Sequence, residues 1–153
     1  MWKNFTSQSK NIGVFVFLES KDGLVFVKKN YDDKRWYLPG GAIEKDEGIL
    51  GALSREILEE TGIRINSKLV KYIGIFYSKP GRSLAFLFKY KIDAIDKFSF
   101  NSNEILDVKV FGIDSIRSKV SNCTWQKIVF YKKYRNNKLN NYFQYNKNED
   151  RSN

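Results

Sequence analysis

The chain contains no histidine. That absence excludes His-dependent zinc sites, Ser-His-Asp triads and histidine general bases, and leaves acid–base work to Glu, Asp, Lys or Tyr. A single cysteine, Cys123, excludes an internal disulfide. No apolar run reaches the length of a transmembrane helix. The start, Met1-Trp2-Lys3-Asn4-Phe5-Thr6-Ser7-Gln8, lacks the apolar core of a signal peptide. Acidic residues are the minority, 17 against 27 basic ones, for a formal net charge of +10. What remains describes one globular domain: 153 residues, 42% hydrophobic and 16% aromatic, enough to bury a real core. The expectation is a cytoplasmic protein without membrane contact.

The charge is uneven. Residues 124–153 hold seven basic and two acidic side chains, whereas residues 41–63 hold six acidic and two basic. An acidic island therefore sits in a basic chain. A basic surround attracts polyanions such as nucleotides or RNA; a chain simply rich in Lys and Asn gives the same count.

Alternating apolar residues predict strands over 11–18 and 24–29, joined at Asp22-Gly23. A polar loop over 31–35 leads to a short extended piece at 36–38 and a Pro39-Gly40-Gly41 turn. A helix is predicted from Glu47 or Gly48 to Glu60, with Ile49, Ala52, Leu53 and Ile57 on its inner face. A second hairpin is predicted over 69–78 and 83–92, then a strand over 108–113. Asp114 is the expected N-cap of a short helix through Val120. A closing helix is expected over 124–136, with Trp125, Ile128, Val129 and the Lys132 stem inward. The domain is expected over 1–136, and residues 137–153 as a polar, flexible tail. Leu139, Tyr142 and Phe143 are the reservation, since they are apolar enough to dock on the domain or on a second subunit. Monomer and homodimer both stay open.

The informative stretch is Gly41-Ala-Ile-Glu-Lys-Asp-Glu47, seven further residues, then Arg55-Glu56-Ile57-Leu58-Glu59-Glu60-Thr61-Gly62-Ile63. Glu56, Glu59 and Glu60 fall at i, i+3 and i+4, on one side of the last helical turn, with Gly62 as its C-cap. Like charges at this spacing repel, and anions at a helix C-terminus oppose the macrodipole. An arrangement that breaks two local rules implies a compensating partner, and a hard divalent cation such as Mg2+ suits carboxylate oxygens.

Read as G-x5-E-x7-R-E-U-x-E-E-x-G-U, with U aliphatic, every specified position is filled. In this the chain resembles the Nudix hydrolase family, whose signature this is. The resemblance is tight over this box and the preceding Trp36-Tyr37-Leu38-Pro39-Gly40; elsewhere it rests on element order. It implies an α/β/α sandwich around a mixed β-sheet, and hydrolysis of a pyrophosphate bond in a nucleoside diphosphate linked to another group. Carried over by position, it implies metal ligation by Glu56, Glu59, Glu60 and the Gly40 carbonyl. Mg2+ is the implied ion, with Mn2+ expected to substitute. Gly41, Glu47, Arg55 and Gly62 are the structural members of the box, with Arg55 pairing to Glu47. Glu104 occupies a loop where many members carry a further glutamate, so the general base is open between Glu56, Glu59 and Glu104.

Bases are held by aromatic faces, and Trp36, Tyr31, Phe76 and Tyr77 are the candidates for substrate binding. Nucleoside triphosphates, oxidised ones included, are the first expectation, with ADP-ribose and sugar nucleotides behind. Two other classes remain: a catalytically silent nucleotide sensor of the same fold, and a pyrophosphohydrolase acting on RNA 5′ ends, which the basic C-terminal segment favours.

Overall fold

The computed structural model describes residues 12–93 and 97–136, and the backbone of 142–145. Its strands are β1 (Ile12–Ser20), β2 (Gly23–Lys29), β3 (Asp32–Tyr37), β4 (Gly40–Ala42), β5 (Lys71–Ser78), β6 (Ser83–Lys91), β7 (Ile105–Phe111) and β8 (Tyr142–Tyr145). Its helices are α1 (Ile49–Thr61) and α2 (Asn122–Arg135). Residue 11 of the first predicted strand, the N-terminal segment before it, and residues 137–141 and 146–153 of the predicted tail lie outside the described residues.

Strand alternation sorts the core into two layers. Val14, Val16 and Leu18 of β1 and Val25 and Val27 of β2 pack with Ala52, Leu53 and Ile57 of α1. The opposite face carries Phe17, Leu24, Phe26, Phe76 and Leu87, covered by Ile128, Phe130 and Tyr131 of α2. The period of two sends alternate residues to opposite helices. The result is the α/β/α sandwich the sequence predicts. The sheet is mixed: the path runs β3-β2-β1-β6-β5-β8, with β4 on β1 and β7 on β2. β1 runs parallel to β6 and antiparallel to β2 and β4.

Several local expectations are corrected. Residues 31–35 are not a loop for most of their length. Asp32–Tyr37 pairs with β2, its polar side chains facing solvent at a sheet edge. The seventh strand begins at Ile105, three residues before the predicted start. Asp114 caps no helix. The segment holds a 3-10 turn at Arg117–Lys119, and Asp114 accepts instead from Lys132 Nζ at 2.8 Å. α2 starts earlier than predicted, at Asn122, because Ser121 accepts from Thr124 N as its N-cap. Its fully buried residues are Ile128, Phe130 and Tyr131, the last stacked on Phe17 at 4.3 Å; Trp125 and Val129 are only partly buried. Within the segment expected as a tail, Tyr142–Tyr145 forms a strand parallel to β5, so this part docks on the domain's own sheet.

Candidate functional site

β4 brings the start of the box against β1. Gly40 and Gly41 pair with Phe15 and Val14. Gly40 has φ 141°, and a Cβ there would stand 2.1 Å from the Val14 carbonyl, so only glycine fits. Gly41 faces α1, and a Cβ added to it would lie 2.4 Å from Glu56 Oε1. The glycines thus let a strand backbone approach the carboxylates of the helix.

α1 runs from Ile49 to Thr61 and ends where Gly62 donates to Leu58 O at 2.9 Å. Its apolar face fixes the rotation, and Glu60 follows Ile57 inward to 3% exposure. There Glu60 Oε2 accepts from Gly40 N at 2.8 Å, and Oε1 meets Lys29 Nζ at 2.7 Å. The same ammonium donates to the Gly40 carbonyl at 3.2 Å. Burial pushes Glu60 up to about 7, against the pull of Lys29 and the Gly40 N–H. Burial also pulls Lys29 down, but the charge and hydrogen bond of Glu60 outweigh it and hold the ammonium above its ordinary value.

Arg55 locks the loop to the helix. Its Nε and Nη2 reach Glu47 Oε1 and Oε2 at 2.8 and 3.0 Å, and Nη2 also donates to the Ala42 carbonyl at 3.2 Å. This two-point contact holds Glu47 below its ordinary carboxylate range. It also keeps Glu47 in the loop, so α1 starts at Ile49. Nη1 turns to Glu56 Oε1 at 3.0 Å and more distantly to Glu59 Oε2 at 3.4 Å. Burial raises Glu56, against the Arg55 bond.

Two cavities adjoin. One, of about 460 Å³, is lined by Glu56, Glu60, Glu104, Lys29, Asn30, Tyr31, Gly41, Ala42 and Ile105. Its neighbour, of about 330 Å³, shares Lys29, Tyr31, Gly41 and Ala42 and continues between Phe15, Phe76 and the start of α2. Glu104 belongs to the first because its carbonyl accepts from Asn30 N at 2.8 Å, hanging its loop from the end of β2. Glu59 lines neither. Helical residues advance by 100°, which turns it away from Glu60; its side chain is 47% exposed and lies towards Arg55. Among the described residues no three carboxylates already converge as a cage.

Of the aromatic candidates, Tyr31 and Phe76 line the cavities, Tyr31 at 73% exposure. Trp36 and Tyr77 do not, which corrects the sequence expectation. Trp36 packs on Phe111 at 4.9 Å inside the core, and Tyr77 alternates with Phe76 to the other face of β5. Two lysines escape the sequence reading. Lys29 continues the phase of Val25 and Val27, so a period of two already puts it on the inner face. Lys127 falls in the stripe Thr124, Lys127, Ile128, Tyr131, which is i, i+3, i+4, i+7.

The donors fit the divalent cation that the resemblance implies. Glu56, Glu60 and the Gly40 carbonyl are hard oxygens, the Gly41 backbone leaves room beside Glu56, and a cationic group, the Lys29 ammonium, already spans Gly40 O and Glu60.

The family model of the NUDIX domain matches residues 9–133. An RNA pyrophosphohydrolase of Pelagibacter ubique (strain HTCC1062) is 36% identical over 107 residues, covering 63% of this chain and 66% of that protein. An 8-oxo-dGTP diphosphatase of Buchnera aphidicola subsp. Acyrthosiphon pisum (strain APS) is 36% identical over 75 residues, 48% of this chain and 60% of that protein. The matched stretches span less than two thirds of these relatives' own lengths. A solved NUDIX hydrolase from Nitrosomonas europaea has the same fold, with a TM-score of 0.69 at 22% identity over 90% of this chain and 78% of that one. With the family model reaching across most of its length, the chain belongs to the Nudix hydrolase family.

Proposed function

We propose that the chain is a Mg2+-dependent pyrophosphohydrolase of nucleoside di- or triphosphate derivatives, with nucleoside triphosphates, oxidised ones included, ahead of ADP-ribose and sugar nucleotides. The observation that carries it is the continuity of the two cavities. One presents Glu56, Glu60 and Glu104, the other a slot without a carboxylate among its described lining residues, and Lys29 and Gly41 stand at their junction. A phosphate chain in the first leaves its nucleoside in the second.

Glu56, Glu60 and the Gly40 carbonyl would hold the ion. When bound, Mg2+ supplies charge neutralisation on the phosphates, their orientation and the acidification of water. The chain's own groups do the rest. Arg55 and Glu47 fix the glycine loop. Lys29 adds positive charge where the phosphates pass. Glu104, exposed and lining the same cavity, and Glu56 itself are the candidates to accept a proton from the attacking water, ahead of Glu59, which lines neither cavity. Phosphoryl transfer asks mainly for such positioning and electrostatics.

A panel of nucleotides with Mg2+, assayed for phosphate and pyrophosphate release, tests this. Turnover of at least one nucleoside triphosphate is expected, with Mn2+ replacing Mg2+. No turnover of any diphosphate-containing compound would point to a silent sensor. An RNA substrate is the second reading, favoured by the 36% identity to an RNA pyrophosphohydrolase and by the basic last turn of α2. Hydrolysis of triphosphorylated RNA alone would select it.

A further inference from the structure

The 330 Å³ slot has a charged far wall. Lys127 Nζ lies 4.9 Å from the ring centres of both Phe15 and Phe76, and donates to Cys123 Sγ at 3.3 Å. Ser83, Ser121 and Thr124 line the same cavity. No aspartate or glutamate is among the described residues lining it, and no carboxylate among them pairs with Lys127. The first turn of α2 also contributes here, adding the positive end of a helix dipole. Phe76 is buried, and the ammonium lies over both rings, so a base entering the slot beside the half-buried Phe15 meets a donor-only cation among hydroxyls that donate or accept. A carbonyl oxygen satisfies that donor. An exocyclic amino group in its place opposes N–H to N–H.

We propose that Lys127 is a specificity-determining residue that selects oxo-bases over amino-bases: guanine and hypoxanthine over adenine among purines, uracil over cytosine among pyrimidines. The proposal rests on the reading of the site as a nucleotide pyrophosphohydrolase. The geometry dictates the orientation. The phosphates belong beside Glu56 and Glu60, Lys29 marks the junction, and the adjoining slot holds the Lys127 ammonium. One hydrogen bond from a charged donor to a base oxygen corresponds to a preference of about ten-fold or more.

The test compares kcat/KM for GTP, ITP and ATP, and for UTP and CTP, in the wild type, Lys127→Met and Lys127→Arg. ITP and ATP differ only at C6 and in the N1 proton that goes with it. The wild type is expected to prefer the oxo member of each pair. Lys127→Met keeps the apolar stem over Phe15 and Phe76 and should collapse the GTP/ATP, ITP/ATP and UTP/CTP ratios towards one. Lys127→Arg should retain them. Binding of IMP against AMP without metal gives a second readout independent of turnover. If no nucleotide is hydrolysed by the wild type and IMP binds no better than AMP, the site reading and this inference fail together. If triphosphates are hydrolysed with equal oxo and amino rates, or with ratios that survive Lys127→Met, the inference alone is overturned.

Discussion

Gly41→Ala isolates the position of one carboxylate. The Cβ would lie 2.4 Å from Glu56 Oε1 and 2.7 Å from its Cδ, whereas ordinary contact begins at 3.4 Å. The carboxylate must retreat by the difference of those Oε1 distances, about 1 Å. The backbone need not move, because Gly41 has no positive φ and its neighbour is the end of a flexible side chain. The stability cost is therefore small. Glu56 gives up its 3.0 Å bond to Arg55 Nη1 between partly exposed groups, worth at most about 1 kcal/mol. For a chain of this size that is a fall in Tm of roughly 2–4 °C. The kinetic cost is large, since a misplacement of about 1 Å lowers rates by about 100-fold. The assay is kcat at saturating Mg2+ beside a thermal melt of the same preparation. In a Glu56→Ala background the added methyl has no carboxylate to displace and should change neither the melt nor the residual rate. Unchanged kcat in the single variant would mean that Glu56 does not act from this position. A variant that fails to fold would mean that Gly41 serves the backbone and not the carboxylate.

Other outcomes follow from the same geometry. Glu56→Gln and Glu60→Gln should each lower turnover by about 100-fold or more with the fold intact, and Glu59→Gln by less, because only Glu59 lies outside the cleft; kcat with melts in Mg2+ and in EDTA decides it. In EDTA the wild type should lose stability as pH rises from 5 to 8. Glu60 titrates near 4.5 when unfolded and about 7 when folded, so the folded state binds the extra proton across that window and raising the pH removes it. Glu60→Gln should flatten that slope, and a wild-type Tm that climbs over the same range would refute the assignment. Truncation after Asn136 removes β8 and should lower Tm and bare the edge of β5, while mononucleotide hydrolysis persists; loss of activity on RNA alone would make the tail a substrate contact.

The layers and the box were legible because each is a periodic pattern. Valines at 14, 16, 25 and 27 and phenylalanines at 15, 17 and 26 alternate strictly, and a period of two needs no tertiary information to be read. The pairing of Arg55 with Glu47 was equally accessible, being an opposite-charge contact inside one motif. What escaped depends on strands from distant parts of the chain. Asp32–Tyr37 reads as a loop by composition, and becomes a strand because β2 offers it an unpaired edge. Tyr142–Tyr145 is polar by neighbourhood, and pairs for the same reason with β5. Trp36 reads as a ligand contact because it is aromatic and precedes the box; β3 pairing with β2 turns it onto Phe111 instead. Lys29 and Lys127 keep the phase of the buried residues beside them, but a lysine alone signals surface, so composition hides both.

The acidic cluster itself illustrates how two broken local rules are reconciled. Three carboxylates crowd the C-terminal turn of α1, which has no basic residue of its own in that turn. Lys29, brought by β2, neutralises Glu60, and Arg55, one turn earlier, serves Glu47, Glu56 and Glu59 together. The repulsion that suggests an ion from sequence is thus largely met by the protein's own cations. A divalent ion is then not required to hold α1 in place, unlike a structural metal whose binding free energy is folding free energy. On the proposed ligation the ion would instead compete with the Lys29 ammonium for the Gly40 carbonyl and Glu60. Lys29→Met should accordingly tighten Mg2+ binding at those oxygens while raising KM for the anionic substrate. Isothermal titration of Mg2+ into the two proteins separates this from a purely structural role: equal affinities would show that Lys29 and the ion do not share the same oxygens.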